Sequence, residues 1–326
     1  MDQLQNLKKS NSKNDKAILF LIFNRPDTTK QVFERIKQAK PPRLYVAADG
    51  PRSNKASDSA LCEEARRIAL SVDWPCEVLT LFRNDNLGCK QAVSSAIDWF
   101  FSHEESGIIL EDDCLPHIDF FKFCNELLDI YSNDHRISVI TGNNFQNGQK
   151  RGNYSYYFSK YNHCWGWATW RRSWKSYDGN LSFWPQWSNS QEWKQLNPNR
   201  YEQRYWSGIF DDVRANKIDS WAYPWTCSVW HHGGLTATPN VNLVTNIGFG
   251  SEATHTTGND TRWAAINTES LGPLVHPLEI LLDRNADLYV FDFKFGGQDL
   301  KFPRYLILLP YRIIRKIYRI MKASLF

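Results

Sequence analysis

The sequence predicts an α/β fold: a doubly wound, mostly parallel sheet flanked by helices, then an aromatic-rich half and a C-terminal amphipathic helix. Three observations carry this. Between residues 17 and 150, apolar runs of strand length alternate with amphipathic helical stretches, as in parallel sheets covered on both faces. Eleven of the fourteen tryptophans fall between 165 and 230. Residues 301–326 carry seven Lys/Arg and no acid.

The elements follow in order. Residues 1–16 read as a polar leader. "AILFLIF" (17–23) is a buried strand by its unbroken apolar run. Pro26 and Asp27 open a helix with Val32, Phe33 and Ile36 on one side. "RLYVAADGPR" is a second strand ending in Asp-Gly, "LCEEARRIAL" a helix and "CEVLTLFR" a third strand. "KQAVSSAIDWFF" is a helix and "GIIL" a fourth strand; "DFFKFCNELLDIY" and "RISVITG" give a further helix and a fifth strand. Residues 17–150 thus form one half, 151–300 an aromatic-rich second half and 301–326 a basic tail.

Composition excludes some classes. With 42% hydrophobic and 23% charged residues the chain is globular. Of 39 Lys/Arg, seven lie in the tail, which leaves 32 against 35 Asp/Glu, so charge gives no reason to expect a nucleic-acid groove. Seven cysteines without a C-x-x-C pair argue against a zinc ribbon or disulfide framework and fit a reducing cytosol. No apolar run reaches the length of a membrane span, and the polar N-terminus carries no apolar signal region. The expectation is a cytoplasmic protein.

In open α/β sheets the binding crevice lies beyond the carboxyl ends of the strands. Asn24-Arg25, Asp49-Gly50, Asn86-Leu87-Gly88 and Glu111-Asp112-Asp113 all fall there. The acidic triplet poses a physical problem, because like charges repel and their desolvation is costly unless compensated. Alternation places Glu111 and Asp113 on one side and Asp112 on the other. Two carboxylates on one side can hold a hard divalent cation, which in turn bridges a diphosphate. The plainer reading is a solvated loop whose acids favour the start of the next helix.

"LEDD" after a short strand, in a series that starts with "FNRP" and passes through "ADGP" and "NDNLG", resembles the GT-A fold glycosyltransferases. It is similar to the family-2-like enzymes and to the N-acetylglucosaminyltransferase that starts N-glycan branching. "VNLVTNIGFGSEATHT" (241–256) looks like a segment of bacterial nucleotide-diphospho-sugar transferases, and the resemblance covers residues 17–260. It implies a nucleotide-sugar donor, UDP-linked, with manganese or magnesium as cofactor and Asp113 as the direct metal ligand. Glu111 and Asp112 would contact ribose, sugar or metal-bound water. Asp49 would meet the nucleobase, Asn24 and Arg25 would line the nucleotide pocket, and Gly50, Asn86 and Gly88 would bring backbone near the donor. His255, after the Gly-rich "NIGFG" loop, would complete the metal site. Each has a simpler alternative: a cap at Asn24, a turn at Asp49-Gly50, a turn and helix start at Asn86–Gly88.

"WSGIFDDVR" (206–214) matches the segment that supplies the acceptor base in the branching enzyme, so the resemblance implies that Asp211 or Asp212 deprotonates the acceptor. Inverting transfer needs a base opposite the leaving diphosphate; the alternative is surface or capping acids on a helix. "YNHCWGWATWRRSW" (161–174) shows neither period and reads as a loop. Trp165, Trp167 and Trp206 are candidates for stacking on an acceptor sugar, the competing reading being tryptophans that build a core. The tail places Ile313, Ile317, Ile320 and Met321 on one face and five basic residues on another, which fits an anionic inner membrane leaflet or a helix docked on the body. The acceptor expected is a glycan or lipid-linked glycan of a bacterial surface polysaccharide. Two rivals stay open: a sugar nucleotidyltransferase and a non-catalytic glycan-binding protein on a transferase fold.

Overall fold

The computed structural model describes residues 15–248 and 266–310. Its centre is one eight-stranded mixed sheet. The first strands are β1 (Ala17–Ile22), β2 (Arg43–Ala48), β3 (Glu77–Phe82) and β4 (Ser106–Glu111). They pair in parallel in the order β3-β2-β1-β4. Between them run α1 (Pro26–Ala39), α2 (Asp58–Ala69) and α3 (Cys89–His103). These crossovers are the helices that the alternation predicted. A short strand β5 (Cys114–Pro116), α4 (Ile118–Ile130) and β6 (Ile137–Thr141) complete the first half.

The second half joins the same sheet. Strands β7 (Tyr156–Ser159) and β8 (Trp167–Trp170) come first, and the segment read as a loop thereby contains a strand. β8 lies antiparallel between β4 and β6. Its pattern hides it: Trp167 points into one core, Ala168 and Trp170 into the other, so no polar face marks the pleat. After β8 come α5 (Arg171–Trp174), α6 (Trp184–Trp187), α7 (Gln191–Leu196), α8 (Arg200–Arg214) and α9 (Ala222–His231). Strand β9 (Leu235–Pro239) then pairs with β6 and β7, and β10 (Val244–Asn246) pairs with β5. Helix α10 (Arg284–Phe293) follows, and residues 304–310 start a further helix.

Alternate residues of β1 feed two cores, as the two-residue period requires. Ile18, Phe20 and Ile22 pack with α1, α2 and α4; Ala17, Leu19 and Leu21 pack with α3 and the tryptophan-rich layer. Ten of the eleven clustered tryptophans are buried, Trp165 being the exception. Most of that density is therefore the core of the second face, built from short helices whose indoles meet edge-on, such as Trp184 with Trp193 at 4.9 Å.

Candidate functional site

The parallel pairing of β1 with β4 sets Leu21 opposite Glu111. The residues just past each strand therefore meet. The Phe23 backbone N–H donates to Asp112 Oδ2 at 2.9 Å, and Arg25 Nη1 donates to Asp113 Oδ2 at 2.9 Å. Arg25 is the N-cap residue of α1, held at the strand end by the Pro26 helix start. Among the described residues this guanidinium, this amide and the Cys114 thiol, which donates to Asp113 Oδ1 at 3.4 Å, are the hydrogen-bonded compensation of three carboxylates. Burial pushes the Glu111 and Asp112 carboxyls well above the usual carboxylate range, and the Asp113 charge adds to both. No described residue donates a hydrogen bond to Glu111. Among the described residues, Arg25 is the cation hydrogen-bonded to the cluster.

Strands β5 and β10 bring a second segment to it. The Ile247 N–H donates to the Asp113 carbonyl at 2.8 Å, and a Cβ on Gly248 would lie 2.2 Å from Asp113 Oδ2. Gly248 permits that approach because it has no side chain. This is the start of the "NIGFG" segment; its last two residues and His255 lie outside the described residues.

Asp49 closes β2. Its carboxylate accepts from Asn86 Nδ2 at 2.9 Å and from the backbone N–H groups of Leu87 and Gly88 at 3.0 and 3.2 Å. The β3–α3 loop is thereby tied to the end of β2, with Asp49 as its anchor. Gly50 does not line the cavity. A Cβ there would stand 2.4 Å from the Asp85 backbone, so the close packing of two loops accounts for it. Asn24 also lies off the cavity, donating to Asp58 at 2.9 Å.

The strand ends open on a cavity of about 730 Å³. One wall carries Glu111, Asp112, Asp113, Arg25, Asp49 and Gly88. The facing wall is aromatic and comes from the second half: Trp165, Trp206, Trp221 and Tyr223, with Phe145 and Tyr161 beside them. Lys294, at the end of α10, lies over the Phe145 and Trp165 rings at 4.3 and 4.4 Å. His163, also on this wall, is driven down to about 3 by burial and then by the Lys294 charge, so its imidazole is neutral.

Several expected residues fall elsewhere. Trp167 is 1% exposed and stacks on Trp221 inside the core. Asp211 accepts from the Trp184 indole at 2.8 Å, and Asp212 pairs with Lys217 at 3.0 Å. Neither lines the cavity. The carboxylate that does reach the cavity from the acceptor half is Asp219, in the loop between α8 and α9. It is exposed, accepts from the Lys90 N–H at 3.2 Å and lies against Gly88. "KIDSW" carries no period or spacing that singles out this aspartate; the turn after α8 brings it in.

Among the described residues no three His, Cys, Asp or Glu side chains are arranged to hold a metal ion by themselves. The donor set nonetheless fits a hard cation shared with a diphosphate, which takes one or two carboxylates and completes its shell from phosphate and water. Glu111 and Asp113 are the ligands on offer, with Arg25 already on one Asp113 oxygen and the Cys114 thiol donating to the other at 3.4 Å.

No family model matches the sequence, and no curated protein matches it. Among solved structures, the chain resembles a UDP-glucose pyrophosphorylase complexed with UDP-glucose at 12% identity and a TM-score of 0.26. That overlap covers 44% of this chain and 62% of the pyrophosphorylase, so the chain spans less than two thirds of it. HddC from Yersinia pseudotuberculosis overlaps 52% of this chain and 85% of its own, at 12% identity and a TM-score of 0.30.

Proposed function

We propose that the protein is an inverting, metal-dependent glycosyltransferase that moves a sugar from a nucleotide diphosphate, UDP in the first instance, to a glycan acceptor. The observation that carries this reading is one cavity lined both by a carboxylate cluster that has one hydrogen-bonded cation among the described residues and by an aromatic wall, with a separate carboxylate, Asp219, beside Gly88. The first wall suits a cation and diphosphate, the second a sugar face.

Asp113 and Glu111 would hold the ion, and Arg25, already on Asp113, would add a guanidinium beside the phosphates. A divalent ion at this place supplies Lewis-acid stabilisation of charge on the departing diphosphate. Asp49 fixes the β3–α3 loop that borders the nucleotide end. On the acceptor side Asp219 takes the proton of the attacking hydroxyl. That oxygen forms a bond to the anomeric carbon as the bond to the diphosphate breaks, and the electron pair leaves with the phosphate oxygen. This reading moves the base from Asp211 or Asp212 to Asp219, because only the latter borders the cavity.

The test is a panel of nucleotide sugars with manganese, read as nucleoside diphosphate release and as thermal shift on donor binding. Asp113→Asn should abolish the manganese-dependent shift. Asp219→Asn should keep it while turnover falls by about 10²–10⁴. Identical behaviour of wild type and Asp113→Asn across the panel refutes the reading. Pyrophosphate consumption with formation of nucleoside triphosphate would make the protein a nucleotidyltransferase instead.

A further inference from the structure

The faces expected of the basic tail lie at 312–322, outside the described residues, and no helix among the described residues is long and apolar enough to cross a membrane. Within the body, one polar side chain of the aromatic wall has no partner in the fold. His163 lines the cavity, yet among the described residues neither of its ring nitrogens has a hydrogen-bond partner; its carbonyl alone is engaged, by Thr141 Oγ1 at 2.7 Å. The nitrogens are not shut away from solvent as His231 Nδ1 is. The ring itself is firmly placed. Phe145 meets it edge-on at 4.5 Å, and Tyr161 and Phe295 lie nearly parallel to it at 5.9 and 6.4 Å.

The backbone around it is equally fixed. The Tyr161 N–H donates to Ser159 Oγ at 2.9 Å on one side, and the Trp165 N–H donates to Asn143 Oδ1 at 3.1 Å on the other. A polar side chain set among rings costs stability unless it is hydrogen-bonded. An apolar ring would fill the same space without that cost. A rigid imidazole with both nitrogens open to a cavity is instead set for a ligand.

Charge and shape say which kind. Burial and the Lys294 ammonium keep the imidazole neutral, so it offers one N–H donor and one acceptor nitrogen. A sugar hydroxyl both donates and accepts, and can use the two nitrogens as neighbours on one ring edge or either one alone. A phosphate or carboxylate only accepts. The rings of Phe145, Trp165 and Tyr161 beside it give the apolar surface that a sugar ring covers.

We infer that His163 reads a hydroxyl of the sugar bound at the aromatic wall and thereby sets which sugar is taken there. This rests on the proposed function only in treating that wall as a sugar face.

The experiment titrates the full chain with the methyl glycosides of glucose, galactose, mannose and N-acetylglucosamine, with and without UDP and manganese, and follows tryptophan fluorescence. Wild type should bind at least one of them. Among the monodeoxy analogues of that glycoside, one should bind about five- to tenfold more weakly. His163→Phe keeps the ring contacts and loses both nitrogens. It should bind the parent glycoside as weakly as wild type binds that analogue, and should no longer distinguish the two. His163→Gln keeps a donor and an acceptor and should restore part of the preference. The thermal melt of His163→Phe should stay at or above the wild-type position, because the imidazole nitrogens hold no described residue; a histidine that only supports the fold would lower the melt and leave the hydroxyl preference intact. Wild type that binds no glycoside of the panel, or a His163→Phe variant that keeps the preference, overturns the inference. The manganese-dependent thermal shift with nucleotide sugars is the separate readout of the catalytic proposal: its absence from wild type, with glycoside selectivity intact, defeats that proposal and supports this one.

Discussion

Lys160 offers the sharpest quantitative test of how the aromatic wall is held. Its side chain and that of Glu202 are 4% and 2% exposed, and their charged atoms lie 2.9 Å apart. The ammonium also donates to Asn197 Oδ1 at 2.8 Å and to the Leu196 carbonyl at 3.3 Å. Asp287, buried alongside, accepts from the Ser159 hydroxyl at 2.6 Å and from the Lys160 N–H at 3.3 Å. Two buried carboxylates thus depend on one cation. Glu202 in turn accepts from the Tyr161 hydroxyl, to which the Trp206 indole donates at 3.3 Å, and both rings line the cavity. Lys160→Met keeps the length and the stem packing but removes the charge. Leaving a buried partner uncompensated costs about 3–5 kcal/mol, against a total stability of about 5–15 kcal/mol for a typical domain. Urea denaturation at pH 8, where both acids are ionised in the unfolded chain, should show this loss. Adding Glu202→Gln should recover most of it, because the stranded charge disappears with its partner. A loss below about 1 kcal/mol, or a double variant as unstable as the single one, would refute the claim that this ion pair holds the wall.

Two further outcomes are expected. Burial pushes the Asp287 carboxyl up to about 7, against the pull of Lys160 and Ser159 and with a further push from Glu202. A pKa raised in the folded state gives stability that is full below the ordinary carboxylate value and is lost as pH rises from about 4 to about 7. Thermal melts of wild type should therefore decline across that window relative to Asp287→Asn, and an opposite slope would show the carboxylate to be ionised in the fold. Gly248→Ala places a methyl 2.2 Å from Asp113 Oδ2. Donor-dependent turnover should fall at least about tenfold as the carboxylate is displaced, and unchanged turnover would separate the 246–248 segment from the reacting centre.

The sheet was legible as far as β6 because each strand there is a separate apolar run between amphipathic helices. Pro26, Asp49-Gly50 and the Asn86–Gly88 turn punctuate it where the structure turns. Legibility stops at β7 and β8 for a physical reason. Tyr156–Ser159 and Trp167–Trp170 are four residues each and buried on both faces, so neither length nor alternation sets them apart from an aromatic loop. The tryptophans were ambiguous in the same way. Density alone does not distinguish a stacking platform from a core, and only Trp165, Trp206 and Trp221 of the eleven reach the cavity.

The site shows a second limit. Arg25 and the acidic triplet were each visible, yet their pairing depends on the register of two parallel strands whose residues stand 88 apart in sequence, and local pattern holds no trace of that. The two aspartates of α8 are the reverse case, where local pattern did hold an answer. On α8 the buried positions are Glu202, Trp206, Phe210 and Val213, spaced by four, four and three. That phase turns Asp211 away from the core and leaves Asp212 at its margin. A carboxylate on such a flank is held by neighbours on its own side, as Trp184 and Lys217 hold these two. To reach a ligand at the strand ends, an acid of this segment must lie where the helix has stopped and the chain turns back toward α3. Asp219 is the acid in that turn. Helix phase thus sets the aspartates of the matched motif off the cavity, while the acid that borders it, Asp219, lies five residues after the helix ends.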